Sequence, residues 1–301
     1  MSNLKKSFLK QLGFFVGAPA ILWQLLFLWV PLICMLYISF TTDIQIVNNL
    51  ASSFSSLNLT FKNYFDLLDF THLKVILRSL LIASINTLLC LIVGYPVAYY
   101  LALYLKKLKS LALFLLTLPF WINFLVHIYA WFFILERGGL LNQFLIWLGL
   151  ISAPLSLINS PFATALVMFH VYLPFMIMPI YNILEKFNKT LIESSLDLGA
   201  THWQTFWRIT IPLSFSGIRT GTLLVFVMSF GEYAIPILMG GSKTFYVGGL
   251  ITEYFLIARN MPKGAAFTVL SALGLGLALL CMLGLSVSGK TKNSAKNSGA
   301  S

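Results

Sequence analysis

The 301-residue sequence is poor in charge, with 10% of its residues charged against 58% hydrophobic. Acidic side chains number nine against twenty Lys and Arg, and there are four histidines. A water-soluble globular domain carries roughly a quarter of its residues as charges, so that class is excluded. No acidic or cysteine cluster joins the histidines His127 and His170, which argues against a metal centre. The three cysteines, Cys34, Cys90 and Cys281, lie inside apolar segments, where they act as small hydrophobes and form no paired extracellular framework. A phosphate-binding loop is also missing. The nearest imitation, Gly240-Gly241-Ser242-Lys243-Thr244, has Ser242 where the second glycine belongs. No internal repeat is apparent, which disfavours a secondary carrier folded from two inverted halves. The apolar segments hold no nucleophile–base pair, so a membrane enzyme is disfavoured as well.

What the sequence has is long apolar runs, and its mean hydropathy is +0.87. A hydrocarbon core about 30 Å thick needs about 20 apolar residues in a helix. Six runs of that kind lie near Leu12–Phe40, Val75–Tyr104, Leu111–Leu135, Phe162–Leu184, Ile218–Leu238 and Ala266–Ser286. A shorter stretch, Leu140–Ile151, contains Asn142 and Gln143 and suits an interfacial or re-entrant helix. The first run follows Lys5, Lys6 and Lys10 and contains Ala18-Pro19-Ala20, like a secretory signal. It continues far beyond the roughly 7–15 residues of a signal core, so it is expected to be a retained span.

The net charge of +11 is spread in small clusters between the runs, a pattern of membrane topology rather than of a nucleic-acid surface. With the N-terminus inside, the inner set is Lys5, Lys6, Lys10, Lys106, Lys107, Lys109, Lys186, Lys189, Arg208, Arg219, Lys290, Lys292 and Lys296. The outer set is Lys62, Lys74, Arg78, Arg137, Lys243, Arg259 and Lys263, so the count is 13 against 7. Cytoplasmic loops are enriched in Lys and Arg, and both termini are therefore expected in the cytoplasm. The domain expectation is a cytoplasmic N-terminus (1–11), a transmembrane domain (12–288) and a disordered cytoplasmic tail (289–301).

The longest inner loop, about 185–217, reads from Lys189 to Phe206 as an amphipathic helical stretch interrupted at Gly199. Leu191, Ser195, Leu198 and Trp203 can share faces at helical spacing. Short helices are marginal in water and need a surface to pack against. Periodicity alone leaves two choices, the membrane surface, favoured by Trp203, Phe206 and Trp207, or a partner protein. Gly199 permits a tight turn, and Pro212 is expected to end the second helix before the fifth span.

Residue identities favour the partner. Glu193-Ser194-Ser195, then three residues, Gly199, nine residues, Ile209, one residue and Ile211-Pro212 resemble the EAA motif of ABC importer permeases. Serines replace the paired alanines and Ile211 replaces leucine. The resemblance implies an all-α membrane protein with the type I, MetI-like importer permease fold, whose coupling helix docks on a separate ATPase. It implies Glu193, Ser194, Ser195, Gly199, Ala200, Ile209 and Pro212 as the coupling set. It extends over nearly the whole chain to PotB-type permeases of spermidine/putrescine importers, through Gly94-Tyr95-Pro96, Pro119-Phe120-Trp121-Ile122-Asn123, Leu173-Pro174-Phe175-Met176 and Gly231-Glu232-Tyr233-Ala234-Ile235-Pro236. The implied partners are a second, homologous permease, two ATPase subunits that hold ATP and Mg, and an external binding protein. The implied location is the bacterial inner membrane, and no cofactor is implied for this chain.

For the solute, the informative residue is Glu232, the single acidic residue placed within a span. A carboxylate at a helix centre costs about 2.5–3.5 kcal/mol on insertion scales and is usually tied to a pathway or a partner. At ~1.5 Å per residue Glu232 lies about 9 Å from the outer end of its span, and His127 and His170 lie about 12 Å from theirs. One reading makes Glu232, Tyr233, Trp121, Asn123 and Tyr129 a pathway for a polyamine ammonium, through charge and cation–π attraction. The other has these groups hydrogen-bond between helices and never meet solute. Other solutes (an opine, ferric iron, an organophosphonate) and a stand-alone transporter stay open on sequence alone.

Overall fold

The structure is a computed structural model that describes residues 18–41, 59–241 and 246–298, with side chains described through Gly284. Lys5, Lys6 and Lys10, residues 42–58, and Ser242–Thr244 lie outside the described residues. All regular structure among the described residues is helical. Six stretches are long and apolar enough to cross a membrane. They are Ala18–Ser39 (α1), Phe70–Leu103 (α3), Phe124–Trp147 (α5, Phe124–Leu135, and α6, Leu140–Trp147), Pro161–Glu185 (α7), His202–Gly231 (α9) and Met261–Gly284, the side-chain-resolved part of α12 (Met261–Ser298). Shorter helices are α2 (Lys62–Leu67), α4 (Lys109–Thr117), α8 (Thr190–Asp197), α10 (Ala234–Met239) and α11 (Val247–Ile257). The backbone of α12 stays helical through 289–298, where the sequence suggests a tail without structure.

The chain divides into two compact units, Met1–His72 with Ile251–Leu273, and Leu73–Leu250 with Gly274–Ser301. In the first, α1 is apolar all round and buries only Ser39, at its end. A helix without a polar face suits a lipid or protein surround rather than water. Its terminal carbonyls are satisfied by one side chain, because Asn63 of α2 donates from Nδ2 to Ser39 O (3.1 Å) and Thr41 O (2.7 Å). The Tyr64 hydroxyl meets Ser39 Oγ at 2.6 Å. In the same unit His72 Nε2 lies 2.7 Å from the Tyr254 hydroxyl.

The second unit is built on the α7–α9 pair, the most extensive helix contact in the chain. Gly217 and Gly221, four apart on α9, make the approach possible. A Cβ on Gly217 would lie 2.8 Å from Pro179 O, and one on Gly221 would lie 2.9 Å from Met176 Sδ. In lipid, where apolar burial drives little, small residues let two backbones approach and gain dispersion energy. The G-x-x-x-G spacing at 217–221 is a local signal, and the packing decides which helix it meets. Met176, Ile177, Ile180 and Val225 are fully buried at this contact, and Gly94 of α3 packs on Met176 as well. Pro174 and Pro179 stay inside a continuous α7, a choice tolerated where neighbouring helices shield the backbone.

Two expected spans are broken. The run Leu111–Leu135 is interrupted after a 3-10 turn, Leu118–Trp121, with Ile122 extended and Asn123 capping α5 by accepting from Leu125 N at 2.9 Å. Pro119 opens that tighter turn, and the Asn side chain restarts the helix by replacing a missing carbonyl acceptor. The third membrane-length stretch is therefore Phe124–Trp147 rather than 111–135. The turn between α5 and α6 is held by the buried Asn142, which donates to Glu136 O and Leu155 O and accepts from Leu155 N. The fifth span ends at Gly231, and α10 starts three residues later, so Glu232 lies at a break and not inside a helix.

Candidate functional site

A hairpin is formed by α8 and the start of α9. α8 ends in a Schellman turn, in which Gly199 N donates to Leu196 O (2.9 Å), Ala200 N donates to Ser195 O (3.1 Å), and Gly199 takes φ +84°. Thr201 then opens α9 with a full capping box, accepting from Gln204 N while Gln204 accepts from Thr201 N. Two opposed end signals two residues apart fix the bend. Across it, the Ser195 and Thr205 hydroxyls meet at 2.8 Å, both buried, and Ser195 Oγ also donates to Ile192 O. The serine at the second alanine position of the motif thus has its own partner, Thr205.

Ser195 faces inward while Leu191, Leu198 and Trp203 face out, so the four do not share a face. Leu198 is 89% exposed and Trp203 69%. Glu193, Ser194, Gly199 and Pro212 are also exposed, and Ala200 and Ile209 are half-buried. Pro212 does not end the second helix, because α9 runs through it to Gly231. A π turn over Phe206–Thr210, with Ile211 N bonded to Phe206 O, widens the helix just before the proline. Pro212 lacks an N–H and its ring would press on the carbonyl four residues back, which the wider turn relieves.

Several contacts tie this hairpin to the spans. Phe206 stands edge-on to Tyr95 and Tyr99 of α3, 5.7 Å from each ring, and the Tyr95 hydroxyl meets Ser214 Oγ at 3.0 Å. Lys189 Nζ donates to Leu103 O at 2.8 Å, closing the last turn of α3. Lys109 Nζ lies 2.8 Å from Glu185 Oε1 and over the Tyr181 ring, and these partners hold the Lys109 ammonium above the usual lysine range. Phe206 and Thr205 carried no sequence signal of these contacts, which are set by tertiary placement.

The second region is the break at Glu232, where α10 packs against α5 and α7. Glu232 Oε1 accepts from Tyr233 N (3.1 Å), Ala234 N (2.9 Å) and Ile235 N (3.3 Å), which start α10. Its Oε2 accepts from the Tyr172 hydroxyl of α7. The carboxylate therefore supplies the acceptors that the interrupted helix lacks, at the N-terminal end where the helix dipole favours an anion. Gly248 of α11 seals the break from behind, where a Cβ would lie 2.7 Å from Gly231 O and 2.9 Å from Glu232 O. Tyr233, Tyr129 and Trp121 are exposed at 50%, 49% and 82%. His127 and His170, which the sequence placed on separate spans, stack edge to face 5.2 Å apart, with Trp131 5.1 Å from His170. Among the described residues no three metal-ligating side chains come together.

Six apolar helices of membrane-crossing length, two interrupted spans and a capped hairpin describe a multi-pass membrane protein, and comparison with known proteins places it among the permeases of ABC importers. Residues 94–288 match the family described as "Binding-protein-dependent transport system inner membrane component", and the chain belongs to that family as a multi-pass inner-membrane permease. The permease named "Spermidine/putrescine transport system permease protein PotB" in Escherichia coli is 41% identical over 258 residues, covering 86% of this chain and 92% of that protein. The protein of the same name in Haemophilus influenzae is 37% identical over 247 residues, covering 82% and 84%. Among solved structures, a chain from "a bacterial ABC transporter involved in the import of the acidic polysaccharide alginate" superposes with a TM-score of 0.73 over 96% of this chain and 99% of that one. At 18% identity that likeness concerns the fold.

Proposed function

We propose that the chain forms part of the pathway for polyamines, spermidine and putrescine, in an importer powered by separate ATPase chains. The observation that carries this reading is the 41% identity to a spermidine/putrescine permease over nearly the full length of both proteins. The α8–α9 hairpin is the ATPase contact, with Leu191, Leu198 and Trp203 as an exposed apolar knob beside Glu193, Ser194, Gly199, Ala200, Ile209 and Pro212. Its double capping and its ties to α3 give the stiffness needed to transmit a push. ATP and Mg belong to two ATPase subunits, and a second, homologous permease and an external binding protein complete the assembly. Both termini are cytoplasmic, and the polar segment from 289 extends beyond the packed domain.

In this reading Trp121, Asn123, Tyr129, Glu232 and Tyr233 line the route at the two breaks. Non-helical backbone is tolerated at membrane depth where it is covered by protein or lines a cavity. Glu232, occupied by four hydrogen bonds, acts on a passing ammonium through its field, and the aromatic faces add cation–π attraction. Attraction without full coordination lets the solute enter and leave. The test is reconstitution of this chain with its second permease, ATPases and binding protein in liposomes. Spermidine and putrescine are expected to stimulate ATP hydrolysis and enter. A response confined to anionic solutes would refute the solute assignment, and uptake by this chain alone would refute the ATP-driven reading.

A further inference from the structure

Arg219 is the feature that the transport reading does not use. It lies on α9 eight residues beyond Ile211, is exposed, and makes no hydrogen bond or ion pair among the described residues. An unpaired guanidinium on a membrane helix is costly unless it reaches water or an anion, and it snorkels toward the nearer interface. That interface is the one on the hairpin side, since α9 is continuous with the hairpin.

Beside Arg219 a groove runs into the bilayer. Its mouth is formed by Phe215, Ile218, Arg219, Thr222 and Met282. It continues, through the shared Thr222 and Met282, into a space of about 390 Å³ bounded by Leu80, Leu88 and Leu91 of α3 and Ala278 of α12. The polar residues on this wall hide their hydroxyls. Ser84 Oγ donates to Leu80 O and Thr87 Oγ1 to Ala83 O, both at 2.7 Å, so carbon faces the groove. From Leu80 to Leu91 the α3 wall is about 16 Å long at ~1.5 Å per residue, close to half of a hydrocarbon core of about 30 Å, the depth of one leaflet.

An apolar channel one leaflet deep, ending at an unpaired cation at the interface, matches one molecule, a phospholipid with an anionic head group. We propose that the groove between α3, α9 and α12 holds an anionic phospholipid of the leaflet on the hairpin side, an acyl chain against Leu80–Leu91 and the phosphate paired with Arg219. A guanidinium binds phosphate bidentately, and because choline and ethanolamine head groups carry their own compensating cation, an unpaired Arg219 favours a head group of net negative charge while the groove holds the chain. The site borders α9, the helix that carries the hairpin.

The test uses the complete transporter in nanodiscs of phosphatidylethanolamine containing a minority of photoactivatable phosphatidylglycerol. Cross-links are expected at Ala278–Leu283 and Ser84–Leu91, competed by unlabelled phosphatidylglycerol and not by phosphatidylcholine. Arg219→Gln should lower that labelling about ten-fold, the loss of one charge-assisted pair, while Arg219→Lys retains most of it. Ala278→Trp, which fills the groove without touching Arg219, should abolish labelling while the complex still assembles by size-exclusion chromatography. Labelling that ignores the head group, or survives both Arg219→Gln and Ala278→Trp, would overturn the proposal. Photo-cross-linking from position 278 to the second permease chain would overturn it too, because protein would then fill the groove.

Discussion

Gly248→Ala tests the packing of the Glu232 break directly, because an identical substitution next door supplies the control. At Gly248 the new Cβ would meet Gly231 O at 2.7 Å, Glu232 O at 2.9 Å and Tyr233 Cβ at 2.9 Å. Ordinary contact begins near 3.4 Å, so the break must retreat by roughly 0.7 Å, and two of the three obstacles are backbone carbonyls that cannot rotate away. Overpacking of this kind costs about 1–3 kcal/mol. Replacing glycine by alanine in a helix recovers about 0.4–1 kcal/mol through the unfolded chain. The net effect is a loss of about 1–2 kcal/mol. At Gly249 the nearest atoms are Ile237 Cγ1 and Cδ1 at 3.9 and 4.0 Å, so the gain stands alone and Gly249→Ala is neutral to stabilising. Thermal unfolding of the purified transporter, followed by tryptophan fluorescence, reads the stability difference. Spermidine-stimulated ATP hydrolysis reads the function, and Gly248→Ala should reduce it about five-fold where about 1 kcal/mol of the strain falls on the transport barrier. Equal behaviour of the two variants would refute the claim that the break is held from behind by a close backbone approach.

Glu232→Ala leaves the three N–H groups of α10 and the Tyr172 hydroxyl without their acceptor, and should destabilise the transporter by about 2–3 kcal/mol, whereas Glu232→Gln keeps an acceptor and loses mainly charge. If Glu232→Gln leaves polyamine uptake unchanged at saturating binding protein, the field role fails and the capping role stands. In the hairpin, Gly199→Ala forces a side chain into φ +84° at a cost of about 1–2 kcal/mol, and Gly199→Asn should cost less. Because Gly199 is exposed with no atom within 4 Å of a built Cβ, a fall in uptake per ATP hydrolysed would come from hairpin shape rather than steric clash. Ser195→Ala strands the buried Thr205 hydroxyl at a cost of about 1–3 kcal/mol, and adding Thr205→Val should recover most of it, measured as a double-mutant cycle in thermal stability. A double variant as unstable as the sum of the singles would remove that hydrogen bond from the account.

Much of the hairpin was legible because its signals are local. Gly199 adopts the positive φ that a glycine between two short helices suggests, and the helices fall on either side of it. Four of the six spans were legible to within six residues, because bilayer thickness sets the length of an apolar run, while the third (124–147 against 111–135) and the fifth (202–231 against 218–238) were displaced. The breaks were not read as breaks. Pro119 and Asn123 carried a local turn and cap signal that the surrounding hydropathy concealed, and Glu232 read as a lone buried charge because its partner, Tyr172, is sixty residues away. Pro212 misled in the other direction. A proline inside a helix pattern suggests an end, yet a π turn over Phe206–Thr210 absorbs it and the helix continues.

The sequence by itself determined that this chain lives in a bilayer, how many times it can cross, and that one loop carries a family's coupling signature, since hydropathy and motif spacing are properties of neighbouring residues. Only the tertiary structure decided that Glu232 caps a broken helix, that Gly217, Gly221 and Gly248 are close-approach points, and that Arg219 stands unpaired beside a lipid-length groove. Those facts depend on residues far apart in the chain meeting at distances of a few ångströms, and the packing of helices, not the order of residues along them, brings them together.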